Sequence, residues 1–152
     1  ALAWAKENNM SFLEMLQDIY LKYGFSREEG ISVVRPGKTG ADEIVAMMKN
    51  FRANPQKSLG GSPVVTIKDY SDLNCTDVQT GKVEKMDFPT TSNVLQYFTA
   101  DGSKISIRPS GTEPKIKFYI EVRGTMKSKA DYAEAIKAAE AKTEMIKKEL
   151  GI

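Results

Sequence analysis

Apolar positions along this chain change their period several times, and each change marks a new element. Residues 1–8 carry a helical pattern that is already under way at Ala1, as in a piece cut from a longer polypeptide. A second helix is predicted from Ser11, where Ser-Phe-Leu-Glu sets up a capping box with Ser11 as N-cap and Glu14 three residues on. Phe12, Leu13, Leu16, Ile19, Tyr20 and Tyr23 then recur at helical spacing up to Gly24, a good C-terminal stop. So broad a stripe on so short a helix needs a partner surface. Residues 30–36, GISVVRP, read as a strand. Residues 39–51 read as a helix capped near Thr39 or Gly40, with Ile44, Met47, Met48 and Phe51 on one side.

The second half of the chain is mostly two-residue periodicity. Residues 63–70 are β-branched and strand-like, whereas 71–92 are polar and irregular with a turn at Thr80-Gly81. A hairpin follows: NVLQYFT, a turn at Asp101-Gly102, then SKISI. Residues 116–123 form another strand with Ile116, Phe118, Ile120 and Val122 on one face, and Ser128 opens a long helix that ends at Gly151. Strand, helix, several strands, helix predicts an α+β domain with two helices on one face of an antiparallel sheet.

Alternation across the loop between the last two strands places two cations together. Ile105 and Ile107 face the core, so Ser106 and Arg108 face away; Ile116 and Phe118 face the core, so Lys117 and Tyr119 face away. Arg108 ends one strand as Lys117 begins the next. Between them stand Ser110 and Thr112 as hydroxyl donors, Gly111 as a residue able to take positive φ, and Pro109 and Pro114 as stiffeners. An arginine fork and a lysine point charge suit a phosphate. Glu113 would repel an anion unless it points outward or pairs with Lys115. On the residues alone, a solvated basic face with a proline-rich connection competes with this reading.

Composition narrows the classes. The 152 residues are 41% hydrophobic and 28% charged, with a net charge of +2, so any anion site must be local. Without a histidine, imidazole chemistry is excluded from this chain. No run of about 18 apolar residues occurs, and Cys75 has no internal partner, which fits a reducing cytoplasm. GISVVRPGKTGADEI imitates a Walker A loop, but Ser32 stands where that motif needs glycine, so a strand-to-helix turn explains it better. Asp69, Asp72 and Asp77 are too irregularly spaced for a divalent-cation loop. The rival reading is a stand-alone anion- or nucleic-acid-binding α+β module. Interspersed acids and the lack of an RNA-recognition sheet motif weigh against nucleic acid.

Residues 108–119, RPSGTEPKIKFY, resemble the phosphate-binding loop of the α-D-phosphohexomutase superfamily, which includes phosphoglucomutase and phosphomannomutase. SLGGSPVVTIKDY and KIKFYI look closest to the longer phosphoglucomutase/phosphomannomutase branch. The resemblance implies that residues 26–152 form that family's fourth, C-terminal domain, of TATA-binding-protein-like fold. Residues 1–25 would be the last helices of the third domain. It implies that Arg108, Ser110, Gly111 and Thr112 ligate the substrate phosphate that is not being transferred, and that Lys117 adds a basic contact. The implied reaction is an intramolecular phosphoryl shift between C1 and C6 of a glucose or mannose phosphate, with Mg²⁺ and a hexose 1,6-bisphosphate primer. The implied partners are the other three domains of the parent chain and the phosphosugar, with no nucleic acid or membrane. The family's serine loop and Asp-rich metal loop have no counterpart in this sequence, so the chain by itself is expected to be inactive.

Overall fold

Two helices, α1 (Leu2–Glu7) and α2 (Phe12–Tyr23), lead into β1 (Phe25–Val34) and then α3 (Lys38–Ala53). Six strands follow: β2 (Ser58–Leu59), β3 (Ser62–Asp69), β4 (Asn74–Asp77), β5 (Val83–Lys85), β6 (Leu95–Thr99) and β7 (Lys104–Pro109). The chain then runs through β8 (Lys115–Gly124) and one 3-10 turn to α4 (Tyr132–Leu150). This computed structural model describes residues 1–152 apart from the side chain of Lys38. Among the described residues the strands form one antiparallel sheet in the order β1-β8-β7-β6-β3-β4-β5, with β2 paired to β3. No described helix is long and apolar enough to cross a membrane.

Both long helices cover the same face. Ile44, Met48 and Phe51 of α3 and Ala135, Ala139, Ile146 and Leu150 of α4 join one core with Val64, Leu95, Tyr97, Ile105, Ile107, Ile116, Phe118, Ile120 and Val122. The alternation of β8 decides this, because Ile116, Phe118, Ile120 and Val122 are buried while the odd positions from Lys115 to Glu121 are half-open. The Tyr97 hydroxyl donates to the Phe51 carbonyl at 2.7 Å, pinning the end of α3 to the middle of the sheet.

Ser11 and Glu14 form the predicted capping box. Three expectations fail. The segment 71–92 is not irregular throughout, since it holds the hairpin β4–β5; its strands are short and polar, and pairing of β4 to β3 and of β5 to β4 rather than an apolar pattern makes them strands. β1 begins at Phe25 instead of residue 30, because Ser26–Gly30, though mostly polar, is zipped to β8. The cap of α3 is Gly37, at φ 86°, instead of Thr39 or Gly40. Gly40 permits a close approach instead. A Cβ there would lie 1.8 Å from the Arg35 carbonyl oxygen, so only glycine lets the first turn of α3 press on the end of β1.

Candidate functional site

The loop joining β7 and β8 is built by its strands. Arg108 and Lys117 are direct cross-strand partners, and Pro109 faces Ile116 one step further on. Ser110 N–H donates to the Lys115 carbonyl at 2.8 Å and closes the loop, while Arg35 N–H donates to the Pro114 carbonyl at 2.9 Å and ties it to the end of β1. The position of the loop is therefore set by three adjacent chain segments.

Like charges placed directly opposite on paired strands destabilise a sheet unless something neutralises them. Four of the five arginines have a carboxylate: Arg27 has Glu29 and Glu140, Arg35 has Glu43, Arg52 has Asp69 and Arg123 has Glu121. Arg108 has none among the described residues, and neither does Lys117. Glu113, the nearest acid in the loop, is taken by Lys115. Its carboxyl is held below its ordinary range first by that hydrogen bond and charge, and further by the charge of Lys117. The N–H groups of Gly111 and Glu113 find no acceptor among the described residues, and Thr112 N–H reaches the Ser110 hydroxyl only at 3.5 Å. Two cations without a described carboxylate, next to a loop whose backbone N–H groups lack a described acceptor, are the chemistry of an anion site.

The predicted residues are not all on one surface. Ser110, Gly111 and Thr112 line an open hollow of about 420 Å³ shared with Gly37 and with Ala41 and Ile44 of α3, whereas Arg108 and Lys117 lie outside it on the sheet face away from the helices. The loop stands between the two. Gly111 also departs from expectation, because it is not among the positive-φ glycines, and a Cβ added there would meet nothing within 4 Å. The Pro109–Ser110 entry and the Lys115–Ser110 hydrogen bond turn the chain without a left-handed residue. Ser32 stands across from Lys117 on the far side of β8. Alternation within ISVV marks its face, but nothing local pairs β1 with β8.

A family model described as phosphoglucomutase/phosphomannomutase, C-terminal domain, matches residues 42–139, loop included. The chain belongs to this family. Phosphoglucomutases of Staphylococcus saprophyticus and Staphylococcus haemolyticus are 35% and 31% identical over 76% and 77% of the chain, and one of Staphylococcus aureus strain MRSA252 is 33% identical over 71%. The chain spans about a fifth of the length of these curated relatives (21%, 21% and 19%). Among solved structures, the open form of parafusin, a Paramecium phosphoglucomutase, aligns at 21% identity over 92% of this chain and 24% of its own, with a TM-score of 0.46.

The acidic residues of this phosphoglucomutase/phosphomannomutase domain do not fit the family's Mg²⁺. Asp69 binds Arg52 and Ser71, Asp72 accepts from Asn74, and Asp77 accepts from Thr80. Among the described residues no three His, Cys, Asp or Glu side chains converge. Asp72 and Asp77 hold their own turns, and Asp69 ties its turn to α3 through Arg52.

Proposed function

We propose that this chain is the substrate-phosphate-binding domain of a phosphohexomutase that interconverts hexose 1-phosphate and hexose 6-phosphate through a bisphosphate. In this reading Arg108 grips the phosphate that is not being transferred through its planar fork, and Lys117 adds a point charge. Ser110, Gly111 and Thr112 offer hydroxyl and backbone donors from the loop. Holding the far phosphate fixes the distance of the sugar from the reacting end, so the domain's contribution to rate is positioning. The reading is carried by one observation: Arg108 is the arginine without a carboxylate among the described residues, and its cross-strand partner is another unpaired cation.

The nucleophilic serine and the Mg²⁺ loop belong to other parts of such an enzyme, and the chain alone is proposed to be inactive. The family's hexose 1,6-bisphosphate primer would be bound through this same loop. Residues 1 to about 25 are proposed to belong to a preceding domain and the remainder to a TATA-binding-protein-like unit.

Titration of the chain with inorganic phosphate, followed by NMR, tests the assignment. Shifts centred on residues 108–112 and 117 are expected, and Arg108→Ala should remove them. In the whole enzyme the same change should cost about ten- to a hundredfold in kcat/KM, the value of one charge-assisted hydrogen bond. Arg108→Lys should restore part of it. Shifts confined to other regions, or unaltered kinetics, would overturn the reading.

A further inference from the structure

The uncovered sheet face continues past the two cations into a second row of side chains. One step of two residues beyond Lys117 and Arg108, Tyr119 of β8 faces Ser106 of β7, and Ser106 faces Gln96 of β6. The row is joined by hydrogen bonds that all run one way. The Tyr70 hydroxyl donates to Gln96 Oε1 at 3.0 Å, and Gln96 Nε2 donates to Ser106 Oγ at 2.9 Å. Ser106 therefore receives a hydrogen bond and still holds its own hydroxyl proton, for which the described residues offer no acceptor. A donor at the end of such a chain is polarised and strengthened by the bonds behind it.

Tyr119 completes the row on the side of β1. Its cross-strand partner there is Gly30, and the Tyr119 ring lies 3.7 Å from where a Cβ of residue 30 would stand. With no side chain on Gly30, the ring is left half-open, and its hydroxyl has no partner among the described residues. An aromatic ring beside a pre-polarised hydroxyl donor suits a polyol, whose C–H face covers the ring while its hydroxyls accept hydrogen bonds. Two residues along a strand cover about 7 Å, the reach from a phosphate through an exocyclic carbon to the middle of a hexose ring.

We propose that Ser106 and Tyr119 form a sugar subsite for the hexose phosphate whose phosphate Arg108 and Lys117 hold. The proposal rests on the phosphate assignment above. Ser106 donates its hydroxyl proton to a sugar oxygen, Tyr119 lies against the ring, and Gln96 and Tyr70 are positioning residues that orient Ser106.

Two ligands separate this proposal from the assignment beneath it. Inorganic phosphate should shift NMR resonances of the loop alone, and glucose 6-phosphate should additionally shift Ser106 and the Tyr119 ring. Ser106→Ala should weaken glucose 6-phosphate by about three- to tenfold, the loss of one neutral hydrogen bond, and leave the affinity for inorganic phosphate unchanged. Gln96→Leu should reproduce part of that loss, since it removes the orienting donor without touching the ligand. If glucose 6-phosphate moves the loop but not Ser106 or Tyr119, or if Ser106→Ala weakens both ligands equally, the subsite is wrong while the phosphate reading stands. If neither ligand moves residues 108–112, both fail. Should a variant lose its cooperative melt, the shift comparison on the unaltered chain decides.

Discussion

Gly40, buried in the first turn of α3, and Gly111, exposed in the loop between β7 and β8, are glycine for unlike reasons. At Gly40 the obstacle is backbone: a Cβ would meet the Arg35 carbonyl oxygen at 1.8 Å and its carbon at 2.5 Å, and neither can move without displacing β1. Gly40→Ala should destabilise the chain by about 1–3 kcal/mol or more, as forced overpacking does, and lower Tm by several degrees in a thermal melt. At Gly111 there is no obstacle within 4 Å and no left-handed φ. Gly111→Ala should leave Tm unchanged yet weaken inorganic phosphate in a titration, because the added methyl would occupy space next to the loop's free N–H groups. A fall in Tm with phosphate affinity intact would place the role of Gly111 in folding instead.

At the scale of elements, polar contacts join units that the hydrophobic pattern leaves separate. Tyr97, wholly buried on β6, is joined to the end of α3 by its hydroxyl. Tyr97→Phe should cost about 1–3 kcal/mol in a denaturant melt, since it leaves the Phe51 carbonyl unpaired in the core. The β6–β7 turn is fixed by Asp101, which accepts from Thr99 Oγ1 at 2.7 Å and Ser103 N–H at 3.1 Å and pairs with Lys142 of α4. Burial pushes the Asp101 carboxyl up, but Lys142, Thr99 and Ser103 outweigh it and hold the group well below the usual carboxylate range. Its folded pKa being depressed, the stabilisation is present above the ordinary aspartate value of about 4 and fades as the pH falls below it. Urea melts from pH 6 down to about pH 2 should therefore lose stability less steeply for Asp101→Asn than for the parent chain, and equal slopes would contradict the assignment.

For the whole molecule, the main core is complete from Phe25 onward: every buried member of that cluster lies between Phe25 and Leu150. Helix α2 rests on this core through Tyr20, stacked 6.3 Å from Tyr132 and edge-on to Phe25 at 5.0 Å, and through the Asp18–Lys129 pair. Its other side leaves Phe12, Leu13, Ile19 and Tyr23 exposed. The chain 25–152 should thus keep a cooperative melt and gain solubility as that apolar surface goes. A cut one residue later, which removes Phe25 with its ring in the core, should be clearly less stable, by up to about 3–5 kcal/mol, the upper range for a lost core phenylalanine. A non-cooperative melt of 25–152 would mean that α2 is part of the folding unit.

The elements with strong local periods were legible in the sequence: the capping box of α2, the apolar sides of α3 and α4, the Asp101-Gly102 hairpin, and the strand alternation that sends Arg108 and Lys117 to one face. Those follow from residue spacing alone, because helices repeat near 3.6 residues and strands at 2. The motif in residues 108–119 was equally visible, being contiguous. The short polar strands β4 and β5 lack an apolar period and are strands through the meander they continue from β3. The polar first half of β1 is a strand only through a distant partner, as when Glu28 pairs with Glu121. Only the assembled structure shows Arg108 as the arginine without a described carboxylate, and only the distant β1–β8 pairing puts Ser32 across from Lys117. The registers of the β6–β7 and β7–β8 hairpins lined Ser106 up with Gln96 and Tyr119. Register between distant segments depends on which faces bury together, and that free energy is decided by the assembled sheet instead of by any one stretch of sequence.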